Sequence, residues 1–492
     1  MSTHAATAPT STHSPRSHLG ATLFLGCLAQ FMVILDVSVV NVALPAIRHG
    51  LGFSEVDLQW VVNAYTVTFA GFLMLGGRAA DLLGRRRVFV SGLVLFAAAS
   101  LAGGIADSQG VLIAARAIQG LGGAVIAPAS LSILTTTFAE GPARNRAVGI
   151  WGAMGGAGGA AGVLLGGILT DALSWRWILF INVPIGLIAA FAAQRLIAES
   201  RGARAGRSFD LTGALAATVG LSLLVLGIVR TDVTGWGSAP TLALIIGGLV
   251  LLAGFLVIEG RFASSPLMPL RIFASRQLSA ANLSVLAVGA ASFGMWFFVS
   301  LYLQQVLGYS AIRAGLAFLP MTLCIVGGST LASRLVQRIG VRPILTTGLL
   351  LQVAGLIGFA FVQANGTYLA DVLVPSLLVA LGIGLSFVPA TIAAVSGVAP
   401  QEAGLASGLV NTSRLFGGAL GLAVLAAIAT ARTNSDLHAG MSAHVALTGG
   451  FQVAFVVGAG FALVGALIAL FGLPRVVRAP AARAAELEAE AA

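Results

Sequence analysis

Residues 77–87 read GRAADLLGRRR and residues 333–342 read SRLVQRIGVR, and the two stretches share one pattern at a constant offset. The matching positions are Arg78, Gly84 and Arg86 in the first stretch, and Arg334, Gly340 and Arg342 in the second. Segments 123–129 and 384–390 also repeat a Gly, a Pro and an Ala at the same spacing. Because two separate repeats share one order along the chain, we predict that the protein consists of two duplicated halves.

The composition is typical of an integral membrane protein. Of 492 residues, 58% are hydrophobic and 9% are charged, whereas soluble domains carry about 25% charged residues. Apolar runs long enough to cross a bilayer as helices occur fourteen times. They lie near 19–45, 58–77, 88–106, 111–136, 147–170, 177–197, 211–229, 241–258, 278–305, 314–333, 344–362, 370–396, 405–430 and 450–473.

These spans predict an all-α membrane fold of two six-helix bundles with two additional central helices. Each duplicated half accounts for six spans, so the seventh and eighth spans form an inserted pair. The predicted divisions are a disordered cytoplasmic tail 1–18, an N-terminal bundle 19–197, a linker with two helices 198–277, a C-terminal bundle 278–473 and a second cytoplasmic tail 474–492.

All 27 basic residues are Arg, and their distribution predicts the orientation. With both termini in the cytoplasm, twenty Arg lie in inner segments and five in outer ones, which satisfies the positive-inside rule. We therefore expect a multi-pass protein of the plasma (inner) membrane. The net charge of +10 is accounted for by loops that face an anionic leaflet, so no nucleic-acid partner is expected.

Several function classes are disfavoured by what the sequence lacks. A chain without Lys has no phosphate-binding G-x-x-x-x-G-K-[ST] loop, so we expect no nucleotide partner. Cys27 and Cys324 both lie inside predicted spans, which predicts neither a disulfide nor a metal site. His, Cys and carboxylate residues do not cluster at one depth, so we expect neither an enzyme nor a cofactor.

Asp36 is a carboxylate inside the apolar stretch 19–45. Such a group costs roughly 2.5–3.5 kcal/mol at the centre of a membrane helix, so it indicates a partner or a function. Helix rise places it about 13 Å below Pro45 and places Arg116 about 8 Å into the fourth span. We predict that the two charges meet in the outer half of the membrane, where separating them would change the protonation of Asp36. The alternative is a permanent ion pair that only fixes helix packing.

Three motifs resemble those of a known family. Residues 77–87 resemble motif A of the major facilitator superfamily, and residues 116–124 resemble its fourth-helix motif B. Residues 35–45, LDVSVVNVALP, are similar to the first-helix signature of the fourteen-span drug:proton antiporter family. The resemblance implies multidrug efflux and antibiotic resistance by alternating access, with Asp36 and Arg116 coupling transport to protons as the coupling ion.

Motif A is expected to act as a conformational latch. In this hypothesis Asp81 holds Arg side chains and accepts hydrogen bonds from a helix N-terminus; the alternative is that its Arg residues only enforce topology. The expected latch residues are Gly77, Arg78, Asp81, Gly84, Arg85 and Arg86.

The fifth span carries overlapping G-x-x-x-G pairs, which predict close helix packing. The expected packing residues, which belong to the antiporter motif, are Gly158, Gly162, Gly166 and Gly167. This motif usually carries Gly-Pro ahead of Gly-Gly, and here Val163 follows Gly162.

Aromatic and amide side chains within the spans suggest a cavity for bulky amphipathic molecules. The candidates are Met32, Asn41, Asn63, Tyr65, Gln119, Phe293, Trp296, Phe297, Gln304, Gln305 and Arg414. With one acid in the core, we expect a lipophilic monocation or a neutral drug as substrate.

Arg414 is the only other charge that we expect to be buried. Its partner is a helix C-terminus or a substrate group, unless its side chain extends to the interface.

Other functions stay open at the level of sequence. The chain is alternatively a dedicated exporter of one endogenous metabolite, such as an antibiotic made by the same cell, or a transporter of this superfamily for other substrates. We expect it to function as a monomer within the lipid bilayer.

Overall fold

The computed structural model describes residues 15–138, 142–200, 210–263, 266–396, 398 and 403–474, and it is helical throughout this part of the chain. The α-helices are α1 (Pro15–Leu51), α2 (Glu55–Leu58), α3 (Trp60–Leu83), α4 (Arg85–Gly104), α5 (Gln109–Thr137), α6 (Pro142–Ala172), α7 (Trp177–Phe180), α8 (Asn182–Leu196), α9 (Leu211–Thr234), α10 (Ala239–Val257), α11 (Arg276–Leu301), α12 (Ala311–Ile339), α13 (Val341–Phe359), α14 (Val374–Ser396), α15 (Ala403–His438) and α16 (Ala443–Gly472).

The prediction of fourteen membrane helices is confirmed, since the described residues contain fourteen helices that are long and apolar enough to span a bilayer. The sixth span consists of α7 and α8, with a break at Ile181 between them. The predicted disordered tail 1–18 is wrong at its end, because α1 begins at Pro15, and proline is favoured in the first turn of a helix. The rest of that tail, and residues 475–492, lie outside the described residues.

The helices form two bundles and an inserted pair. Helices α1 and α3–α8 pack together, and so do α11–α16. The two bundles meet where α1 packs on α11, α3 on α15 and α6 on α12. Helix α9 packs on α3 and α15. Only 11% of the most apolar residues of the span that contains α10 are buried, so α10 lies at the outside of the protein.

The duplicated loops have the same backbone geometry. Gly84 separates α3 from α4 with φ +110°, and Gly340 separates α12 from α13 with φ +83°. Residues with a side chain rarely adopt such angles. Each glycine therefore ends one helix and starts the next at equivalent points of the two bundles.

Replacing Gly340 by Ala is expected to destabilise the protein by about 1–3 kcal/mol, because Ala is strained at φ +83° and ψ 174°. The measurement is the melting temperature of the purified protein in detergent. Gly327→Ala is the matched control, since Gly327 lies inside α12 with open space around its Cα. Equal melting temperatures for the two variants would refute the requirement for glycine.

Helix α1 does not end at Pro45, as expected from sequence, but continues to Leu51. Proline has no N–H, so the carbonyl of Asn41, four residues earlier, loses its helical partner. Ser300 of α11 donates its hydroxyl to this carbonyl at 2.6 Å. The next π-helical turn supplies Gln304, which donates to the carbonyl of Val42 at 2.9 Å. The proline is thus tolerated because the opposite bundle satisfies the freed backbone.

We call the side of the protein where α1 begins the arginine-rich face, and the side where α1 ends the opposite face. At the opposite face, Asp171 of α6 accepts from the backbone N–H groups of Ala311 and Ile312 at the start of α12. Towards the arginine-rich face, a Cβ added at Gly152 or Gly155 of α6 would meet no other described atom within 4 Å. The bundles are therefore closed against each other at the opposite face.

Candidate functional site

The Asp36 carboxylate lies in the core of the N-terminal bundle and is 0% exposed. Its Oδ2 accepts a hydrogen bond from Nη1 of Arg116 at 2.6 Å. Its Oδ1 accepts from Nε2 of Gln119 at 2.7 Å and from Nδ2 of Asn182 at 2.8 Å. Helices α1, α5 and α8 therefore converge on one carboxylate.

Arg116 is held on its other side by α3. Its Nε donates to the carbonyl of Val61 at 3.0 Å, and its guanidinium carbon lies 4.5 Å from the ring centre of Tyr65. Gln119 accepts from Arg116 at 2.6 Å and donates to the hydroxyl of Ser100 on α4 at 2.7 Å. The network thus joins five helices of one bundle.

The sequence prediction that Asp36 and Arg116 meet is confirmed, whereas Gln119 and Tyr65, which were predicted as substrate-cavity residues, lie beside this pair instead. It did not include Asn182 or Ser100, which are both 0% exposed. An amide near the start of the apolar sixth span was the available signal for Asn182, since buried polar groups in a membrane need partners. No comparable signal exists for Ser100, because small hydroxyl residues are common in membrane helices.

This arrangement makes Asp36 a carboxylate with a full set of donors and a compensating charge. A proton on Asp36 would cancel its attraction to Arg116 and turn an acceptor oxygen into a donor. The three donors around it would then lose their charge-assisted bonds, which are roughly twice as strong as neutral ones. Protonation of Asp36 and the packing of five helices are therefore energetically linked.

The motif A loop is held by a residue that the sequence prediction missed. Glu199, which follows α8, accepts from the backbone N–H groups of Arg86 at 3.1 Å and Arg87 at 3.2 Å, at the start of α4. Asp81 instead pairs with Arg85 at 2.9 Å and is 53% exposed. The prediction that Asp81 accepts from a helix N-terminus is therefore wrong: Asp81 lies in the last turn of α3, ahead of that terminus.

The other expected latch residues connect this loop to its surroundings. Arg78 donates to the carbonyl of Pro266, in the segment after α10, at 3.0 Å. Arg86 donates from its side chain to the carbonyl of Ile197 at 3.3 Å. Gly77 lies against Pro128 of α5, where a Cβ would be 3.5 Å away. Most of these contacts stay within one bundle.

Glu199→Ala is expected to lower stability by about 1 kcal/mol, as for the loss of a helix N-cap. The melting temperature of the purified protein is the measurement. Asp81→Asn serves as the control, because an exposed ion pair contributes 0–1 kcal/mol. A larger fall in melting temperature for Asp81→Asn than for Glu199→Ala would show that Asp81 stabilises the motif A loop more than Glu199 does.

The glycines of the fifth span pack as predicted by the G-x-x-x-G pairs. A Cβ on Gly158 would lie 2.8 Å from the carbonyl oxygen of Phe31, and one on Gly166 would lie 2.8 Å from that of Val39. Gly162 lies against Ser38 and Leu35 of α1, and Gly167 lies against Ala311 of α12. This face of α6 therefore contacts α1 and the other bundle at once.

The predicted substrate residues do not form one cavity. Met32, Asn63, Tyr65, Gln119 and Phe297 are buried, being at most 2% exposed. Asn41 and Gln304 belong to the closed contact at the opposite face. Gln305 has no hydrogen-bond partner for its amide among the described residues, and Trp296 packs against Phe318 at 5.0 Å. Phe293 and Arg414 lie close together, with the guanidinium carbon 5.8 Å from the ring centre.

The sequence prediction that Arg414 is the only further buried charge is wrong. Arg414 is partly buried, whereas Glu259 (4% exposed), Asp210 (8%) and Asp436 (4%) are buried. Each lies at or near a helix end: Asp210 accepts from the N–H of Gly213 at 2.8 Å, and Glu259 accepts from that of Met268 at 2.9 Å. Positions near helix ends looked exposed from sequence because burial there depends on neighbouring segments.

Comparison with known proteins identifies relatives over most of the chain. The family model described as Major Facilitator Superfamily matches residues 26–422. The cephamycin export protein CmcT of Amycolatopsis lactamdurans is 46% identical over 84% of this chain and 86% of its own length. The puromycin resistance protein pur8 of Streptomyces alboniger is 39% identical over 92% and 91%. The tetracenomycin C resistance and export protein of Streptomyces glaucescens is 35% identical over 85% and 78%.

Solved structures share the fold. The POT family transporter PepTSo matches with a TM-score of 0.68 and 14% identity, over 97% of this chain and 99% of its own. A bacterial homolog of the lysosomal transporter Spinster, solved in an inward-facing and unoccupied conformation, matches with a TM-score of 0.65 and 17% identity, over 94% and 98%. The predicted two-bundle fold is thereby confirmed.

Proposed function

Because this chain belongs to the Major Facilitator Superfamily, whose family and fold are those of transporters rather than enzymes, we propose that it is a proton-coupled exporter of amphipathic drugs or antibiotics. The relatives named above are an antibiotic exporter and two resistance proteins, one of them also an exporter. In this proposal the arginine-rich face is cytoplasmic and the protein works as a monomer in the plasma membrane. It uses no cofactor, nucleotide or nucleic acid.

The observation that carries the coupling proposal is the network around Asp36. Among the described residues Asp36 forms its ion pair with Arg116, so a proton on Asp36 would leave the buried guanidinium without this counter-ion. Removing one partner of a buried ion pair costs about 3–5 kcal/mol, which is enough to drive a change of helix packing. Proton uptake and conformational change are therefore two parts of one step.

Helix α1 offers a route from Asp36 to the contact between the bundles. Five and six residues after Asp36, the same helix presents the carbonyl groups of Asn41 and Val42 to α11. A shift of α1 that follows protonation would move these acceptors away from Ser300 and Gln304. The opposite face would then open while Gly158, Gly162 and Gly166 allow α1 to slide on α6.

Transport assays in inverted membrane vesicles test the proposal. Ethidium or a panel of antibiotics is offered on the outer surface of the vesicle, which is the cytoplasmic side of the protein, and uptake is followed with and without an uncoupler. Proton-coupled export predicts uptake that stops when the uncoupler dissipates the gradient. Uptake that is insensitive to the uncoupler would overturn proton coupling.

A second candidate is export of a single antibiotic made by the same cell. The names of CmcT and of the tetracenomycin C protein, each tied to one antibiotic, favour it. A susceptibility panel distinguishes the two: a strain expressing this protein would gain resistance to one compound class in the dedicated case, and to several unrelated classes in the multidrug case.

A further inference from the structure

Arg414 of α15 is a guanidinium with too few partners. Its Nη2 donates to Oδ1 of Asn411 at 3.1 Å, whereas its Nε is buried and has no hydrogen-bond partner among the described residues. A guanidinium carries five N–H donors, and leaving a buried one unpaired is unfavourable. The rest of its surroundings is aromatic, with the rings of Phe293 and Phe387 each 5.8 Å away.

The charge of Arg414 is also uncompensated. Within the described part of the chain, the ion pairs join Arg116 to Asp36 and other Arg residues to acids near helix ends, and none involves Arg414. Because Asp36 is neutralised by Arg116, the net charge that remains near the middle of the bundles is positive. A site with this field attracts an anionic group and repels a cation.

Arg414 lies at the boundary of the two bundles. The next residue, Leu415, and its neighbour Phe293 pack with Tyr65 and Phe69 of the N-terminal bundle. Arg414 is partly exposed as a whole residue, and Phe387 beside it is 38% exposed. Arg414 lies six residues inside the apolar span that starts at Gly408, which corresponds to about 9 Å of helix. Substrate sites of duplicated transporters lie at such boundaries.

We propose that Arg414, with Asn411, Phe293 and Phe387, binds the anionic group of an amphipathic substrate, with the aromatic rings holding its apolar body. The guanidinium fork is suited to bind two oxygens of a carboxylate or a comparable group. The inference rests on the proposed export function but changes the expected substrate: an amphipathic anion replaces the lipophilic cation suggested by the count of acids in the sequence.

A binding experiment tests this site without relying on transport. The purified full-length protein in phosphatidylcholine nanodiscs is titrated with 1-pyrenebutyrate and with 1-pyrenebutyramide, which share one aromatic body and differ in charge. We expect the wild type to bind the acid about tenfold more tightly than the amide, as for a hydrogen bond between charged groups. Equal binding of the two probes would overturn the proposal.

Variants assign the preference to one side chain. Arg414→Gln is expected to lose the tenfold preference and to keep its affinity for the amide, whereas Arg414→Lys is expected to keep part of it, because Lys is a point charge without the fork. Arg313→Gln is the matched control, since Arg313 also stacks on an aromatic ring, Tyr309 at 3.9 Å, but outside this site. A preference that survives Arg414→Gln would refute the assignment.

A lipid phosphate offers the same chemistry as a substrate anion, and a second arm separates the two. The titration is repeated in nanodiscs that contain phosphatidylglycerol. If Arg414 binds substrate, the preference for the acid persists; if this lipid abolishes the preference in the wild type, the site belongs to lipid and the substrate assignment is wrong. Neither result bears on proton coupling, which is tested separately at Asp36.

Discussion

Asp36→Asn is expected to abolish proton-driven efflux while substrate counterflow persists. Asn has nearly the shape of Asp, and its one oxygen can accept either from Arg116 or from Gln119, which donate to different oxygens of the carboxylate. We expect the variant to fold with reduced stability, because Arg116 loses its counter-ion. Asn cannot gain or lose a proton, so the conformational change is no longer tied to the proton gradient. Counterflow exchanges labelled for unlabelled substrate and needs no net movement of protons, so it reports alternating access alone.

The measurement combines three assays on one set of membranes. Uptake into inverted vesicles under an imposed pH gradient reports coupling, counterflow reports access, and the melting temperature of the purified protein reports folding. Asp57→Asn is the control, because Asp57 is an exposed acid in the short helix α2. Efflux by Asp36→Asn at the wild-type rate would refute the coupling role, and joint loss of counterflow and stability would favour the structural ion pair.

Arg116→Gln is expected to destabilise the protein by about 3–5 kcal/mol, the cost of leaving one charge of a buried pair without its partner. The substitution removes the donors to Asp36 and to the carbonyl of Val61, both of which are buried. The measurement is thermal unfolding in detergent, together with the yield of protein in the membrane. Arg85→Gln is the control, because its partner Asp81 is 53% exposed.

The double variant Asp36→Asn/Arg116→Gln then separates charge from shape. If the cost comes from an orphaned charge, removing both charges restores much of the stability lost in Arg116→Gln, and the two substitutions are strongly non-additive. Stability would return without proton coupling, because the titrating group is gone. Additive losses would show that the pair contributes by packing rather than by its charges.

The residues described above differ in how far the sequence could predict their roles. Asp36 and Arg116 were predictable because a charge in an apolar span needs a partner, and each span contained one. Glu199 was not, because a glutamate after a helix end is ordinary until the fold brings it to the start of α4. Ser300 likewise had no signal, since its role depends on a carbonyl freed by Pro45 in a helix 259 positions away in the chain.

The substrate residues show the same limit. The sequence shows which side chains in a membrane helix are aromatic or amide. The rotation of the helix about its axis decides whether each of them faces a bundle core, the lipid or the boundary between the bundles. Phe297 is 1% exposed, whereas Phe293 is only partly buried and packs against two core clusters, although they are four residues apart on α11. Only the packing of α11 against α15 and the N-terminal bundle distinguishes them.

The membrane class, the number of spans, the duplication and the pairing of Asp36 with Arg116 could all be predicted from the residues. They follow from hydropathy, from repeated motifs and from the cost of burying a charge, which depend on short stretches of chain or on two rare residues. The packing of the helices was needed to show that Asn182 and Ser100 complete the network, that the bundles close at one face, and that Arg414 has no counter-ion among the described residues. Such features depend on distances between helices far apart in the chain, which no local pattern of residues encodes.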